Sequence, residues 1–435
     1  MTAALNQALD SLAGEFERVA ATLPAADQRS VANHRTAAVD RLRARGLPVT
    51  RDEAWKYTDL KSLAGNRFRF TGPSATALTR QQLPALTAHP IVLVNGWLDP
   101  VLTDLDALPT GVSLSGLDQH LTALMQSRAP VDDAFQWLND AFLGAGLHVN
   151  IDAGIAIDQP LEIICLRTAT DEPAMCHPRL RLDIGAGASV TVLERYVDLA
   201  GAQALTNVVT DIVIGQTATV THCRIQAESP ASYHIGRTYV DLARDATYQA
   251  THFDIGAGLS RTDINIEQHS EGSVVGLDGL MFVDGKRHCD CHLNIDHAAP
   301  RTRSTVRYKG VIDDEGRGVF NGRILVRQDA QQISAQLHNR NLLLSARAEI
   351  DTKPELEIYA DDVQCAHGAT VGQLDETALF YLRSRGVPLA TARALLLHAF
   401  VGDIVDAIAD SKLRQLALTE LAGLLAALEP LPELT

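Results

Sequence analysis

The sequence predicts a mainly β protein, with a right-handed parallel β-helix core at 147–363 between helical regions at 1–146 and 364–435. Three observations predict it. Helical spacing stops near Leu147, and apolar–polar alternation of period two then runs for more than two hundred residues. The alternating segments also resemble one another: a strand, a small or polar turn, an alanine and a second strand recur at 180–196, 208–225 and 239–255. The shared alanine falls at Ala188, Ala218 and Ala246. A repeat of about 30 residues with no helix inside it points to a β-solenoid. Finally, the run of strands is longer than a single β-sandwich, the rival arrangement, ordinarily absorbs.

The elements follow in order. Residues 1–45 have a helical pattern, broken at Pro24 and closed by Gly46 and Pro48. Their first stretch carries Asp10, Glu15 and Glu17 and has no cationic start before an apolar block, so it does not read as a secretory signal. The segment 50–60, TRDEAWKYTDL, is more polar and holds Trp55 and Tyr57. Residues 90–98 read as a buried strand whose Asn95-Gly96 pair is a turn signal. A helical patch at 132–144 precedes the strand run. Beyond that run, Asp375 caps a helix that stops at Gly386, and Pro388 opens another. In the last helical stretch Leu389, Ala392, Leu396, Ala399, Ile404 and Ile408 fall near one face, with Asp403, Asp406 and Asp410 on the other. The two helical regions are expected to cover the open ends of the solenoid.

Composition narrows the function. A net charge of −15 disfavours nucleic acid and anionic membrane surfaces, both of which need a basic face. No apolar run approaches the roughly 20 residues a bilayer requires. Six cysteines in 435 residues are too sparse for a disulfide framework, and the chain reads as cytoplasmic. It has no GxxxxGK[ST] loop, so it is not expected to hydrolyse ATP itself, and it has no GxSxG, no HExxH and no paired CxxC.

Two clusters carry possible ligands. On a regular strand, His288, Asp290 and His292 share one face and Cys289 and Cys291 the other. His288 and His292 are then about 13 Å apart and cannot hold one ion. Cys289 and Cys291 could do so only with local distortion or a neighbour's help, and otherwise read as small core residues. A stand-alone metal-binding β-solenoid using His288, Cys289, Cys291 and His292 is one functional reading. The second cluster is Cys365 and His367, in what reads as a compact turn between sheet and helix. A thiolate and an imidazole there suit iron or sulfur.

The wording of 339–386 resembles the C-terminal core of the SufB/SufD family, the non-ATPase subunits of a bacterial iron–sulfur cluster assembly complex. Ordered phrases extend the match through the solenoid: DHAAP (296–300), YKGV (308–311), FNGRI (320–324), AQLHNRNLLLS (335–345) and CAHGATVG (365–372). TRDEAWKYTDL resembles a phrase common near the start of SufD chains. With His rather than Glu in CAHGATVG, the chain resembles the SufD branch; Cys289 and Cys291 depart from the family's pattern.

The resemblance implies a non-catalytic scaffold subunit that pairs with SufB through the β-helix and anchors the SufC ATPase through C-terminal helices. It also implies a homodimer when SufB is absent. On the same ground His367, with Cys365, faces SufB where a cluster is assembled. No cofactor is held permanently, and the iron–sulfur cluster is transient at that interface. Phe380, Tyr381, Arg383 and Arg385 are expected on the ATPase-binding surface.

Overall fold

The structure, a computed structural model, describes residues 3–73, 78–87, 89–117, 120–126, 131–168, 170–199 and 201–428. The N-terminal region contributes α1 (Ala3–Val19), α2 (Arg29–Arg45), α3 (Lys61–Ala64), α4 (Leu121–Gln126) and α5 (Ala134–Ala141). The chain closes with α6 (Glu376–Ser384), α7 (Leu389–Asp406) and α8 (Ser411–Leu428).

Between them, two sheets face each other. The first stacks β4 (Val112–Gly116), β5 (Gly146–Ile151), β8 (Arg179–Ile184), β10 (Ala204–Ile214) and β12 (Ser232–Leu242). It continues through β14 (Leu259–Gln268), β16 (His288–His297), β18 (Arg317–Val326) and β20 (Glu349–Ile358). The second runs from the hairpin β2 (Ile91–Val94) and β3 (Trp97–Leu98) through β6 (Leu161–Arg167), β9 (Ser189–Asp198), β11 (Thr219–Ala227) and β13 (Thr247–Asp254). It ends with β15 (Val274–Val283), β17 (Arg303–Ile312), β19 (Ile333–Leu343) and β21 (Val363–Gly372). Short strands β1 (Arg69–Phe70) and β7 (Ala174–Cys176) pair beside β10. The chain thus alternates between the sheets, and successive turns pair in parallel.

A repeated corner explains the 30-residue period. Gly187, Thr217, Asp245, Gly272 and Arg301 all have positive φ, and each precedes a buried small residue: Ala188, Ala218, Ala246, Ser273 and Thr302. The amide of each positive-φ residue donates to a carbonyl one turn on, as Thr217 does to Arg244 and Asp245 to Glu271. A left-handed residue is what turns the chain sharply here while keeping its polar backbone paired. At Gly272 a Cβ would come within 2.1 Å of Asp245 Oδ1, so a side chain at this one corner would displace that carboxylate. The Asn95-Gly96 pair, with φ of 49° and 92°, closes the antiparallel hairpin as its turn signal predicts.

Among the described residues, the helices do not cover the ends; β3 and β4 of the N-terminal region close one of them. The N-terminal helices pack on the outer face of the first sheet, where Leu205, Tyr233, Ile235 and Leu259 meet side chains of α1, α2 and α5. Helices α7 and α8 lie on the outer face of the second sheet, against Leu193, Ile225, Phe253, Leu280, Phe282 and Val311. Runs such as 280–283 are apolar on both faces of a strand, and the outer half needs cover as much as the inner. A second correction concerns residues 365–368. They are mid-strand in β21, not a turn, and the last solenoid strand runs on to Gly372.

Candidate functional site

The last turn of the solenoid is unfinished. Among the described residues β20 and β21 are each paired on one side alone, by β18 and β19, so their outer edges present unpaired backbone. Register assigns the side chains. Ala335 and Leu337 of β19 are core residues, and opposite them on β21 stand Cys365 and His367. Both therefore face the space between the sheets at its open mouth.

Cys365 is half-buried against the core, and burial pushes its thiol up against an opposing hydrogen bond from the Ala335 backbone. His367 is exposed. Two positions apart on a strand, the Cα atoms are about 7 Å from each other. The pair is thus one wide half-site of soft and borderline donors, and a metal held there needs further ligands from outside the chain.

Behind the mouth lies a buried amide network. Asn341 Nδ2 donates to Asn339 Oδ1 at 2.5 Å, and Thr352 Oγ1 donates to the same oxygen at 2.8 Å. Asn339 Nδ2 donates to the Tyr308 carbonyl, and Asn341 Nδ2 to that of Thr370. These bonds tie β17, β19, β20 and β21 together, which fixes the strand that carries Cys365 and His367.

Deeper still, the space between the sheets is polar as well as apolar. Tyr308 donates to Asp254, Asp254 pairs with Arg224 at 2.7 Å, Arg224 meets His234 at 2.6 Å, and His234 pairs with Glu228 at 2.6 Å. Glu194 pairs with His222 and accepts from Tyr196. Burial pushes the Glu194 and Glu228 carboxyls up, but their histidine and other partners outweigh it and hold both at about 2. His252, beside His222, is driven down to about 3 by burial. Sequence reading missed this column. Its signal is present, since Glu194 and Tyr196 occupy the same alternate positions as core residues Val190 and Val192.

The 288–292 segment is a strand with the facing expected, and the four residues proposed as a metal site do not converge. Cys289 and Cys291 point into the core, where burial raises both thiols well above their ordinary value. His288 and His292 lie on the outer face beneath the N-terminal region. His288 Nε2 pairs with Thr58 Oγ1 at 2.8 Å, and His292 Nε2 with Asp290 Oδ1 at 3.0 Å. Among the described residues, the trio whose ligand atoms come within 4.8 Å of one another is Asp241, Glu267 and His269, which includes none of the four.

The same cluster explains the TRDEAWKYTDL phrase. Arg261 pairs with Asp290, donates to the Ala54 carbonyl, and stacks its guanidinium 4.1 Å from the Trp55 ring. Trp55 and Thr58 are thus the anchors that hold this segment to the first sheet.

After β21, Asp375 caps α6 as its sequence predicts, accepting from Thr377 and Ala378. The helix leaves Phe380 73% and Tyr381 57% exposed, with Arg383 and Arg385 also exposed and the Arg385 guanidinium 5.2 Å from the Tyr381 ring. Two aromatics so open on one short helix form an interaction surface that no described residue covers.

Comparison with known proteins identifies the family. A family model described as "SUF system FeS cluster assembly, SufBD core domain" matches residues 166–400, and one described as "SufBD protein N-terminal region" matches 7–163. The chain belongs to the SufBD family of iron–sulfur cluster assembly proteins. It is 34% identical to a SufBD family protein of Synechocystis over 86% of this chain and 87% of that one. It is 32% identical to the iron–sulfur cluster assembly protein SufD of Escherichia coli, over 86% of this chain and 89% of the relative. With SufD of Bacillus subtilis it shares 23% over 62% of each. The SufBD core domain takes in the whole of β9 to β21, and with them the open mouth. No helix among the described residues is long and apolar enough to cross a membrane.

Proposed function

We propose that this chain is a SufD-type scaffold subunit, which pairs through its open solenoid end with a SufB-type chain and anchors a SufC-type ATPase. The observation that carries this reading is the unfinished last turn. Free strand edges invite a partner strand, and Cys365 and His367 offer two donors that remain incomplete without one. An iron–sulfur cluster is then the cargo, built transiently between the two chains. The chain supplies surface and ligands in the cytoplasm, and turnover belongs to the ATPase. Without its partner, the same edges are open to a second copy of the chain.

Residues 376–428 are the proposed ATPase anchor, with Phe380, Tyr381, Arg383 and Arg385 at its exposed front. Deleting this whole region is a poor test, because α7 and α8 cover apolar side chains of the second sheet. Substituting Phe380 and Tyr381 tests the surface without baring the core.

Native mass spectrometry of the chain co-expressed with SufB- and SufC-like proteins tests the assembly. One SufB-like chain, two SufC-like chains and one copy of this chain is the expected composition. His367→Ala is expected to leave that composition intact and lower cluster yield about tenfold or more. A chain that stays alone in the presence of both partners would sink the reading.

A further inference from the structure

Along β20, at the rim of the open end, one charged side chain has no ion pair among the described residues. Alternate residues of β20 place Glu349, Asp351, Lys353, Glu355 and Glu357 on its outer face, opposite to the inward Ile350 and Leu356. Four of the five are paired. Glu349 meets Arg317 at 2.6 Å, Lys353 meets Glu355 at 2.7 Å, and Glu357 meets Arg323 at 2.7 Å. Asp351 is partly buried, yet it has no hydrogen bond or ion pair with any described residue. Burial, with the like charge of Glu349, outweighs the pull of Arg317, His288 and Lys56, so its carboxyl lies above the ordinary value.

Register shows why it is left over. Asp351 stands opposite Val319 of β18, and Val319 separates it from the Asp290–Arg261 pair one turn further in. On the other side of β20 no strand pairs with it among the described residues. A strand added there would put its side chain about 5 Å from Asp351. The N-terminal segment reaches the same rim, since Glu53 pairs with Lys353 at 3.1 Å and Lys56 lies in the field of Asp351.

We propose that Asp351 accepts a cationic side chain, an arginine or lysine, of the chain that docks on this end, and that the seat extends onto residues 53–57. The inference rests on the scaffold reading above and adds the chemistry its partner presents at this register. One isolated carboxylate is too few ligands for a metal ion, whereas an ammonium or guanidinium satisfies it in a single pair.

The test is Asp351→Asn in the full chain, with the dissociation constant for the SufB-like protein measured by calorimetry at low and moderate salt. Binding is expected to weaken about tenfold, with the gap to wild type narrowing as salt rises. The thermal midpoint of the free chain is expected to hold or rise, because the charge has no partner there. Glu357→Gln, on the same face of the same strand but already paired, is expected to change binding less than about twofold.

Wild-type affinity in Asp351→Asn would overturn the inference and leave the scaffold reading standing. A fall in the free chain's thermal midpoint would likewise overturn it, by showing that the carboxylate works within the chain. Failure of the wild-type chain to bind the SufB-like protein would overturn both.

Discussion

The two ends of the solenoid are built from the same repeat and finished differently. At the N-terminal end the sheets close with the antiparallel strands β3 and β4, and the inward side chains there, Leu93, Leu147 and Val149, are at most 1% exposed. At the C-terminal end the parallel run simply stops. Ile350, Leu356, Val363 and Cys365 occupy equivalent inward positions but are only partly buried. A short antiparallel edge discourages further pairing, whereas a long parallel edge with half-covered inward residues invites it. What differs is therefore not the strand chemistry but whether the chain supplies a final layer.

The largest expected effect breaks that contrast directly. Leu147→Ala at the closed end is expected to cost about 3 kcal/mol, and Leu356→Ala at the open end about 1 kcal/mol or less, because little cavity forms where packing is already incomplete. Denaturant melts of the two variants measure this. In the presence of a SufB-like partner the Leu356→Ala cost should grow, since the missing layer is then in place.

The interior and the rim should also answer pH with opposite signs. Glu194 and Glu228 are held at about 2, below the 4.5 of the unfolded chain, so their stabilisation is present above 4.5 and lost as pH falls toward 2. His177 and His252, held neutral by burial down to about 3, stabilise the fold above 6.5 and lose this as pH falls from 6.5 toward 3. The chain should therefore lose stability progressively below pH 6.5, as thermal melts across that range will show. Asp351 runs the other way. Its raised carboxyl opposes folding as it ionises, and Asp351→Asn should remove that small opposing contribution near neutral pH.

Smaller effects sharpen the assignment of surfaces. Replacing Phe380 and Tyr381 by serine should weaken ATPase binding about tenfold, because exposed aromatics anchor interfaces. Neither change should move the melting transition by more than about 0.5 kcal/mol, since neither side chain is buried. His367→Ala should be the mildest of all on stability, again within about 0.5 kcal/mol, while cluster yield falls. A large destabilisation by His367→Ala would recast it as a packing residue.

Much of the framework was legible in the amino-acid order alone. Period-two alternation marked the strands. The recurring alanine marked the corner, since Ala188, Ala218 and Ala246 are all 1% exposed or less. Asp375 announced its helix through its cap, and Asn95-Gly96 its hairpin. Alternation also separated Cys289 and Cys291 from His288 and His292 correctly, because facing along a strand is a local property. The familiar wording around Cys365 and His367 singled them out, though the glycine-flanked phrase read as a turn rather than as β21.

What the tertiary structure alone decided is which surfaces meet. Sequence spacing does not say whether a helical region lies over an end or along a face, because that depends on which outer rows of a folded sheet are apolar. Nor does it show that Asn339, Asn341 and Thr352 form one network, or that Asp351 is left without a pair. These contacts join residues from different strands, and parallel register brings them together only once the turns have stacked. Local chemistry determined the elements and the facing of each side chain; long-range register determined which partners the side chains found.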